Sequence, residues 1–276
     1  MAAGAGVAAI AADSILLEPN RPRIVRQEVA LRRWPEAMDG FSIVLLSDFH
    51  YDDHFSAHPL KAAIGIVNDL HPDLIVLAGD FVSLPLLGGG DERAAAQAAV
   101  PCAALLRQMH APHGLWAVLG NHDFFTDPEV VTRALREQGI AVLGNRSTAI
   151  ETKTGRFWLG GVNDVFSGTA DVKSAFQQRA EGEPAVLLAH EPDFADYVAR
   201  HDVDLQLSGH SHGGQVRLPF LGPMYLPALG RKYVSGLYRV GELAVYTNAG
   251  LGTVGLPVRW NCPPEITFLT LRAARA

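Results

Sequence analysis

The sequence predicts an α/β fold whose functional site lies at the carboxyl ends of its strands. Three observations lead there. Strand, loop and helix patterns alternate from Ile24 onward. The strand patterns are nearly continuous apolar runs, as expected where both faces of a strand are buried. Five of those runs end in Asp, Asn or His, and in open α/β sheets ligands bind beyond the carboxyl ends of the strands.

The elements follow in order. Residues 41–48 (FSIVLLSD) and 73–80 (DLIVLAGD) read as buried strands ending in an acid, separated by a helical stretch at 59–72 that stops at a proline. Residues 91–110 are helical with acids in the first turn, where the helix dipole favours them, and Pro101 should kink or divide that helix. Residues 114–123 (GLWAVLGNHD) form a third strand running into polar residues. The helix at 127–139 has Asp127 as N-cap, Pro128 at its first position and Gly139 at its stop. The second half has more β character. It holds a hairpin over 147–162 around Thr154-Gly155, a buried strand at 184–190 ending in histidine, and a strand at 203–207 before the glycines of 209–214. Closing strands follow at 244–250 and 265–272. No repeat, linker or charge block marks a second domain, so residues 24–276 are expected to form one domain after a 1–23 segment.

Composition narrows the function. A net charge of −6 argues against a protein that grips nucleic acid through its phosphates, and it leaves open a small phosphorylated ligand held through metal ions. Two distant cysteines, Cys102 and Cys262, fit neither a zinc knuckle nor a disulfide framework. The N-terminal run MAAGAGVAAIAADSILL lacks a basic n-region and is too short to span a membrane. It reads equally as the downstream part of a signal's apolar region or as a frayed alanine-rich helix.

The strand-end residues are Asp48 and His50, Asp80, Asn121 and His122, His190, then His210 and His212. Such a cluster of Asp, Asn and His is hard to explain by packing. Their order, as "DFH" (48–50), "GD" (79–80), "GNHD" (120–123), "AH" (189–190) and "GHSH" (209–212), resembles the calcineurin-like metallophosphoesterase superfamily. The tail from GGQVRLPFLGP to GLGTVGLPVRWNCPPEITFLTL resembles a bacterial branch whose members are often membrane-anchored or exported. Its members include enzymes acting on phosphodiesters or on the UDP-linked lipid precursor of lipopolysaccharide.

The resemblance implies two stacked mixed β-sheets flanked by helices, with a dinuclear metal site at the strand ends. One ion would take Asp48, His50 and His212, the other Asn121, His190 and His210, with Asp80 bridging both. A donor set of imidazole, carboxylate and amide without thiolate suits Mn, with Fe or Zn as alternatives, rather than Ca or Mg. Two such ions support in-line attack on a phosphodiester, pyrophosphate or phosphomonoester by a hydroxide held between them. In the family, the position of His122 contacts the phosphoryl oxygen or protonates the leaving group. Many members read Gly-Asp-x-x-Asp where this chain has "GDFVS", so Ser83 replaces the acid that orients the histidine. The orienting role is then expected of Asp123, a serine hydroxyl or water. The Ser83 departure keeps a non-catalytic metal- or phosphate-binding protein as the alternative reading.

His54, His58, His71, His110, His113 and His201 fit no ligand position, and the glycine-rich loop at 86–92 lacks the Lys-Ser/Thr ending of a phosphate loop. The apolar stretch 218–230 (LPFLGPMYLPALG) is expected either to pack on the sheet or to form a hydrophobic rim that grips an acyl or aromatic group, or dips into a membrane surface. Arg217, Arg231 and Arg259 flank it and are expected to meet phosphate oxygens. The partner is accordingly a phosphorylated small molecule or lipid. An exported or membrane-associated enzyme is expected, with a cytoplasmic one as the alternative.

Overall fold

The computed structural model of the chain describes residues 10–85 and 91–274. Residues 1–9 of the N-terminal segment, and most of the 86–92 loop expected beside the site, lie outside the described residues. The architecture is an α/β sandwich of two six-stranded mixed sheets with helices outside. One sheet holds β1 (Arg23–Leu31), β2 (Ser42–Leu46), β3 (Leu74–Leu77), β4 (Leu115–Ala117), β5 (Ala141–Val142) and β14 (Glu265–Ala273), in the order β1-β14-β2-β3-β4-β5. The other holds β6 (Arg146–Glu151), β7 (Arg156–Gly161), β8 (Ala185–Leu188), β9 (Leu205–Ser208), β12 (Gly236–Val240) and β13 (Leu243–Thr247), in the order β12-β13-β9-β8-β7-β6. A small hairpin, β10 (Arg217–Leu218) with β11 (Gly222–Pro223), stands apart.

The apolar runs follow from this layering. Side chains alternate across a strand. In β2, Ile43 and Leu45 enter the core between the sheets, where they meet Leu188, Leu207 and Tyr246. Val44 and Leu46 face the outer core, packed by helices α1 (Ala57–Leu70), α3 (Ala99–Leu106) and α5 (Pro128–Glu137). A strand that feeds two cores has no polar face, hence five buried residues in succession. Each fully buried aliphatic side chain contributes roughly 1.5–3 kcal/mol of transfer free energy.

The helical stretch expected over 91–110 is divided in two. Helix α2 (Glu92–Ala96), capped by Asp91, ends before α3 begins at Ala99, and Pro101 lies in the first turn of α3. A proline there has no N–H to donate back to residue 97, so the break precedes it. Helix α4 (Asn121–Thr126) begins where a polar strand end was expected. Asp127 caps α5 as anticipated, accepting the N–H of Val130 at 3.1 Å. Two short helices, α6 (Val172–Ala175) and α7 (Ala195–Val198), complete the second half. No helix among the described residues is long and apolar enough to cross a membrane.

Parallel register sets the site. β2, β3 and β4 pair in parallel, with Leu46 beside Leu77 and Leu77 beside Ala117, so their following turns emerge side by side. β8 and β9 do the same in the other sheet, with Leu188 beside Leu207. The opposite end of the sandwich is closed by Trp34, Phe41 and Phe157, with ring centroids 5.1–6.0 Å apart. Replacing Phe157 by Ala should therefore lower the unfolding free energy by about 3–5 kcal/mol while leaving metal content unchanged. Denaturant titration and elemental analysis of one preparation check both halves.

Candidate metal centre

The turns after the strands bring the expected residues together. Asp48, His50 and His212 offer ligand atoms all within 4.8 Å of one another, and so do Asp80, His190 and His210. A third overlapping group joins His50, Asp80 and His122. Asn121, the remaining expected ligand, is in none of these groups of Asp and His. His190 Nε2 lies 3.1 Å from Asp80 Oδ2, and His50 Nε2 lies 3.0 Å from His212 Nε2.

The backbone is bent sharply to do this. Asp48, His50, Asp80, His210 and His212 all have left-handed φ, from 41° to 70°. Non-glycine residues hold that conformation at a cost of roughly 1–2 kcal/mol each. Backbone hydrogen bonds hold them in place. Asp48 N–H donates to Gly79 O at 2.9 Å, His50 N–H to Asp80 O at 3.0 Å, and His210 N–H to the Asp48 carboxylate at 2.9 Å. Gly79 (φ 93°) has no alternative, because a Cβ there would sit 2.6 Å from Gly120 N and 2.8 Å from His190 Nδ1.

The other ring nitrogens are oriented by the protein. His190 Nδ1 donates to Ala78 O at 2.6 Å and His210 Nε2 to Ala228 O at 2.8 Å, which leaves His190 Nε2 and His210 Nδ1 as lone pairs facing the cluster. His50 Nδ1 meets Ser83 Oγ at 3.1 Å. Ser83 thus steadies the candidate ligand His50. His122 Nδ1 accepts the backbone N–H of Leu84 at 2.9 Å, so in the neutral ring the proton sits on Nε2.

Electrostatics favours neutral imidazoles at most positions. Burial, with His122 beside it, pushes His50 down to about 3. Burial and His190 push His210 down to about 4, and burial with His50 holds His212 well below its ordinary value. Neutral imidazole is the form that binds a metal. His190 goes the other way: burial opposes its charge, but Asp80 raises it well above the usual range. Burial alone would raise Asp80 too, yet His190 and His122 more than offset that and hold it well below its ordinary value. A proton on His190 and a cation at Asp80 are alternatives. Asp48 is pushed up to about 6, chiefly by burial.

A cation fits this donor set. Asn121 Oδ1 is buried without a hydrogen-bond partner among the described residues, and His190 Nε2, also buried, meets no protein atom but the Asp80 carboxylate that would share the ion, whereas buried polar atoms are normally satisfied. The donors are nitrogen and oxygen without thiolate, the set suited to Mn, Fe or Zn.

Two expectations need correction. Asp123 does not orient His122. Its carboxylate accepts four backbone N–H groups, from Asp80, Phe81, Val82 and Gly120 at 2.8–3.1 Å, and so ties the β3 turn to the α4 turn. The arginines do not line the site. Arg259 is 0% exposed, and its guanidinium donates to Ala249 O, Gly252 O and Cys262 O at 2.6–3.0 Å. Arg217 Nη1 turns to Ser235 Oγ and Arg231 Nε to Leu226 O, both at 3.3 Å.

Above the cluster lies a cavity of about 640 Å³, walled on one side by Asp80, Asn121, His122, His210 and His212. The rest of its lining is mostly apolar, with Phe125, Phe166, Met224, Tyr225, Val254 and Leu256 beside the polar Ser211 and Gln215. The 218–230 loop thus contributes a rim instead of packing on a sheet. Phe125 and Phe166 were not anticipated. Phe125 follows the GNHD motif closely enough to have been considered, whereas Phe166 lies in a loop that nothing in the sequence ties to the site.

Comparison with known proteins agrees with this geometry. The calcineurin-like phosphoesterase family matches residues 41–214. The chain is 36% identical over 259 residues to the uncharacterized metallophosphoesterase YkuE of Bacillus subtilis, covering 93% of this chain and 88% of that one. It is 32% identical to the phosphodiesterase YaeI of Escherichia coli, covering 92% and 90% of the two chains. It is 26% identical to the UDP-2,3-diacylglucosamine pyrophosphatase LpxG of Chlamydia trachomatis, again covering 92% and 90%. The solved NAD nucleotidase NadN of Haemophilus influenzae shares the fold, with a TM-score of 0.51 over 76% of this chain and 45% of that chain at 16% identity.

The buried guanidinium carries a prediction. The loop Arg259 holds also donates from Leu251 N–H to Ser47 O and from Gly252 N–H to Asp48 O. Arg259→Met orphans three carbonyls, so it should lower the unfolding free energy by about 3 kcal/mol or more. Denaturant titration measures it. A loss under about 1 kcal/mol would contradict the structural role.

Proposed function

The chain belongs to the calcineurin-like phosphoesterase family of metal-dependent phosphoester hydrolases, and on that footing we propose that it cleaves a phosphodiester or pyrophosphate whose substrate carries an apolar or nucleoside-linked part. The observation that carries this reading is the cavity itself, with candidate ligands on one wall and exposed aromatic and aliphatic side chains on the others. A small hydrophilic monoester would leave those apolar walls in water. Two of its relatives, a phosphodiesterase and a UDP-2,3-diacylglucosamine pyrophosphatase, support the same class.

In this reading, Asp48, His50 and His212 would hold one divalent ion and Asn121, His190 and His210 a second, and the Asp80 carboxylate lies within reach of both groups, 3.5 Å from His50 Nε2 and 3.1 Å from His190 Nε2. When bound, the ions would lower the pKa of water and neutralise phosphate charge, with Mn the best match to the donors. His122 presents Nε2–H to the cavity, held by the Leu84 N–H on its other nitrogen, and is placed to donate to a phosphoryl oxygen or to protonate the leaving group. Asp123 fixes the turn that carries Asp80 through its four backbone hydrogen bonds. The phosphate finds no arginine on the cavity wall, so its charge is met by the ions and by His122.

The non-catalytic alternative was motivated by Ser83. Because Ser83 faces His50, the orientation of His122 does not depend on it.

Asp80→Asn should lose at least one ion, measured by elemental analysis, together with activity. His122→Ala should keep the ions and slow hydrolysis of an ester with a poor leaving group by about 10²–10⁴-fold, with a smaller effect on p-nitrophenyl esters. A His122→Ala enzyme as fast as wild type on the poor leaving group would remove the general-acid role. For substrate class, a UDP-linked lipid and a simple diester should be turned over faster than a hydrophilic monoester. Equal or better turnover of the monoester would reject the preference.

A further inference from the structure

The hairpin beside the cavity ends in side chains with nothing to pack on. Phe220 is fully exposed, and Leu221, Tyr225 and Met224 are 80%, 72% and 66% exposed. Leu256, 71% exposed, lines the same cavity as Met224 and Tyr225. The loop carrying Leu256 also lines, through Leu251 and Thr253, a neighbouring groove that contains Phe55, itself 53% exposed. Exposed apolar side chains thus line both the cavity and the neighbouring groove, which share the 251–257 loop.

Shape and charge select the partner. A tip as prominent as Phe220 and Leu221 projects outward, and a rigid protein surface would need a matching pocket to receive it. A fluid bilayer needs none. Arg217 and Arg231 stand at the two roots of this loop with side chains outside any ion pair of the described residues, while beside Arg231 the Asp193 carboxylate is engaged by the N–H groups of residues 231–233 and Asp196 is paired with Lys232. Apolar and aromatic side chains at the tip with basic ones at the base are the arrangement that seats a segment at the headgroup boundary of an anionic membrane.

We propose that this face docks on an anionic phospholipid bilayer, with the 218–225 tip inserted and the metal cavity opening toward the headgroups. The proposal rests on the reading of the cavity as a site for amphiphilic phosphates, and it gives such a substrate a lateral route from the membrane.

The test is co-sedimentation of the full chain with phosphatidylcholine vesicles, with and without one quarter phosphatidylglycerol, in the absence of substrate. Wild type should bind the anionic vesicles and release them at high salt. Phe220→Ser/Leu221→Ser should bind about tenfold more weakly, and Arg217→Gln/Arg231→Gln should lose the preference for anionic lipid. Neither Phe220 nor Leu221 lines the cavity, so the first pair should turn over soluble bis-p-nitrophenyl phosphate at the wild-type rate. Thermal melting confirms the fold of each variant, and Leu221→Ser alone replaces the pair if it fails. No vesicle binding by wild type, or equal binding by the tip variant, overturns the proposal. So does self-association abolished by the tip variant without vesicle binding, which would assign the face to a second copy. Failure to hydrolyse the soluble diester would instead count against the catalytic reading and leave the vesicle result standing.

Discussion

The carboxylate of Asp48 joins the two sheets. It follows β2 of one sheet and accepts the backbone N–H of His210, which follows β9 of the other, at 2.9 and 3.1 Å. Ser47 Oγ donates to the same carboxylate and lies 2.9 Å from Asn248 Oδ1. Asn248 in turn donates to Thr267 Oγ1, Leu45 O and Glu265 O. Every member of this network is buried, and a satisfied polar network in a dry interior is stiff because slipping would strand a donor. The positions of the candidate ligands relative to one another depend on that joint. Without it, the strand ends of the two sheets would be free to slide.

The same logic separates the groups that hold the site from those that face the cavity. Asp123 and Arg259 are wholly buried and turned toward backbone atoms: Asp123 ties the turn that carries Asp80 to the one that carries Asn121, and Arg259 holds the loop whose N–H groups reach Ser47 O and Asp48 O. Leu84, Ala78 and Ala228 contribute only a backbone N–H or carbonyl, yet they decide which nitrogen of His122, His190 and His210 faces inward. The chemistry is left to a small number of side chains, and most of the surrounding polarity keeps them aimed.

Much of this was legible in the sequence, and the reason is periodicity. A strand packed on both faces leaves an unbroken apolar run, and the residue that ends the run marks the strand's carboxyl end, so Asp48, Asp80, Asn121, His190 and His210 could be placed before any contact was known. The helix at 127–139 was legible because Asp127, Pro128 and Gly139 act locally. What failed were inferences about direction. Arg259 beside an apolar loop reads like an anion contact, but its destination depends on three carbonyls from separate turns, which no local pattern encodes. Asp123 sits next to His122 in the chain and points away from it, because the first turn of α4 carries successive side chains around the axis. Phe166 reaches the cavity from a loop whose path is set by packing alone.

The left-handed turns also record a conflict between two selections. At positions 48, 50, 80, 210 and 212 the backbone alone would favour glycine or asparagine. Aspartate and histidine stand there instead. A library at the three histidine positions, with Asp48 and Asp80 left in place, screened only for thermal resistance should drift toward glycine and asparagine, and the degrees gained would measure what the chain gives up in robustness to keep its chemistry.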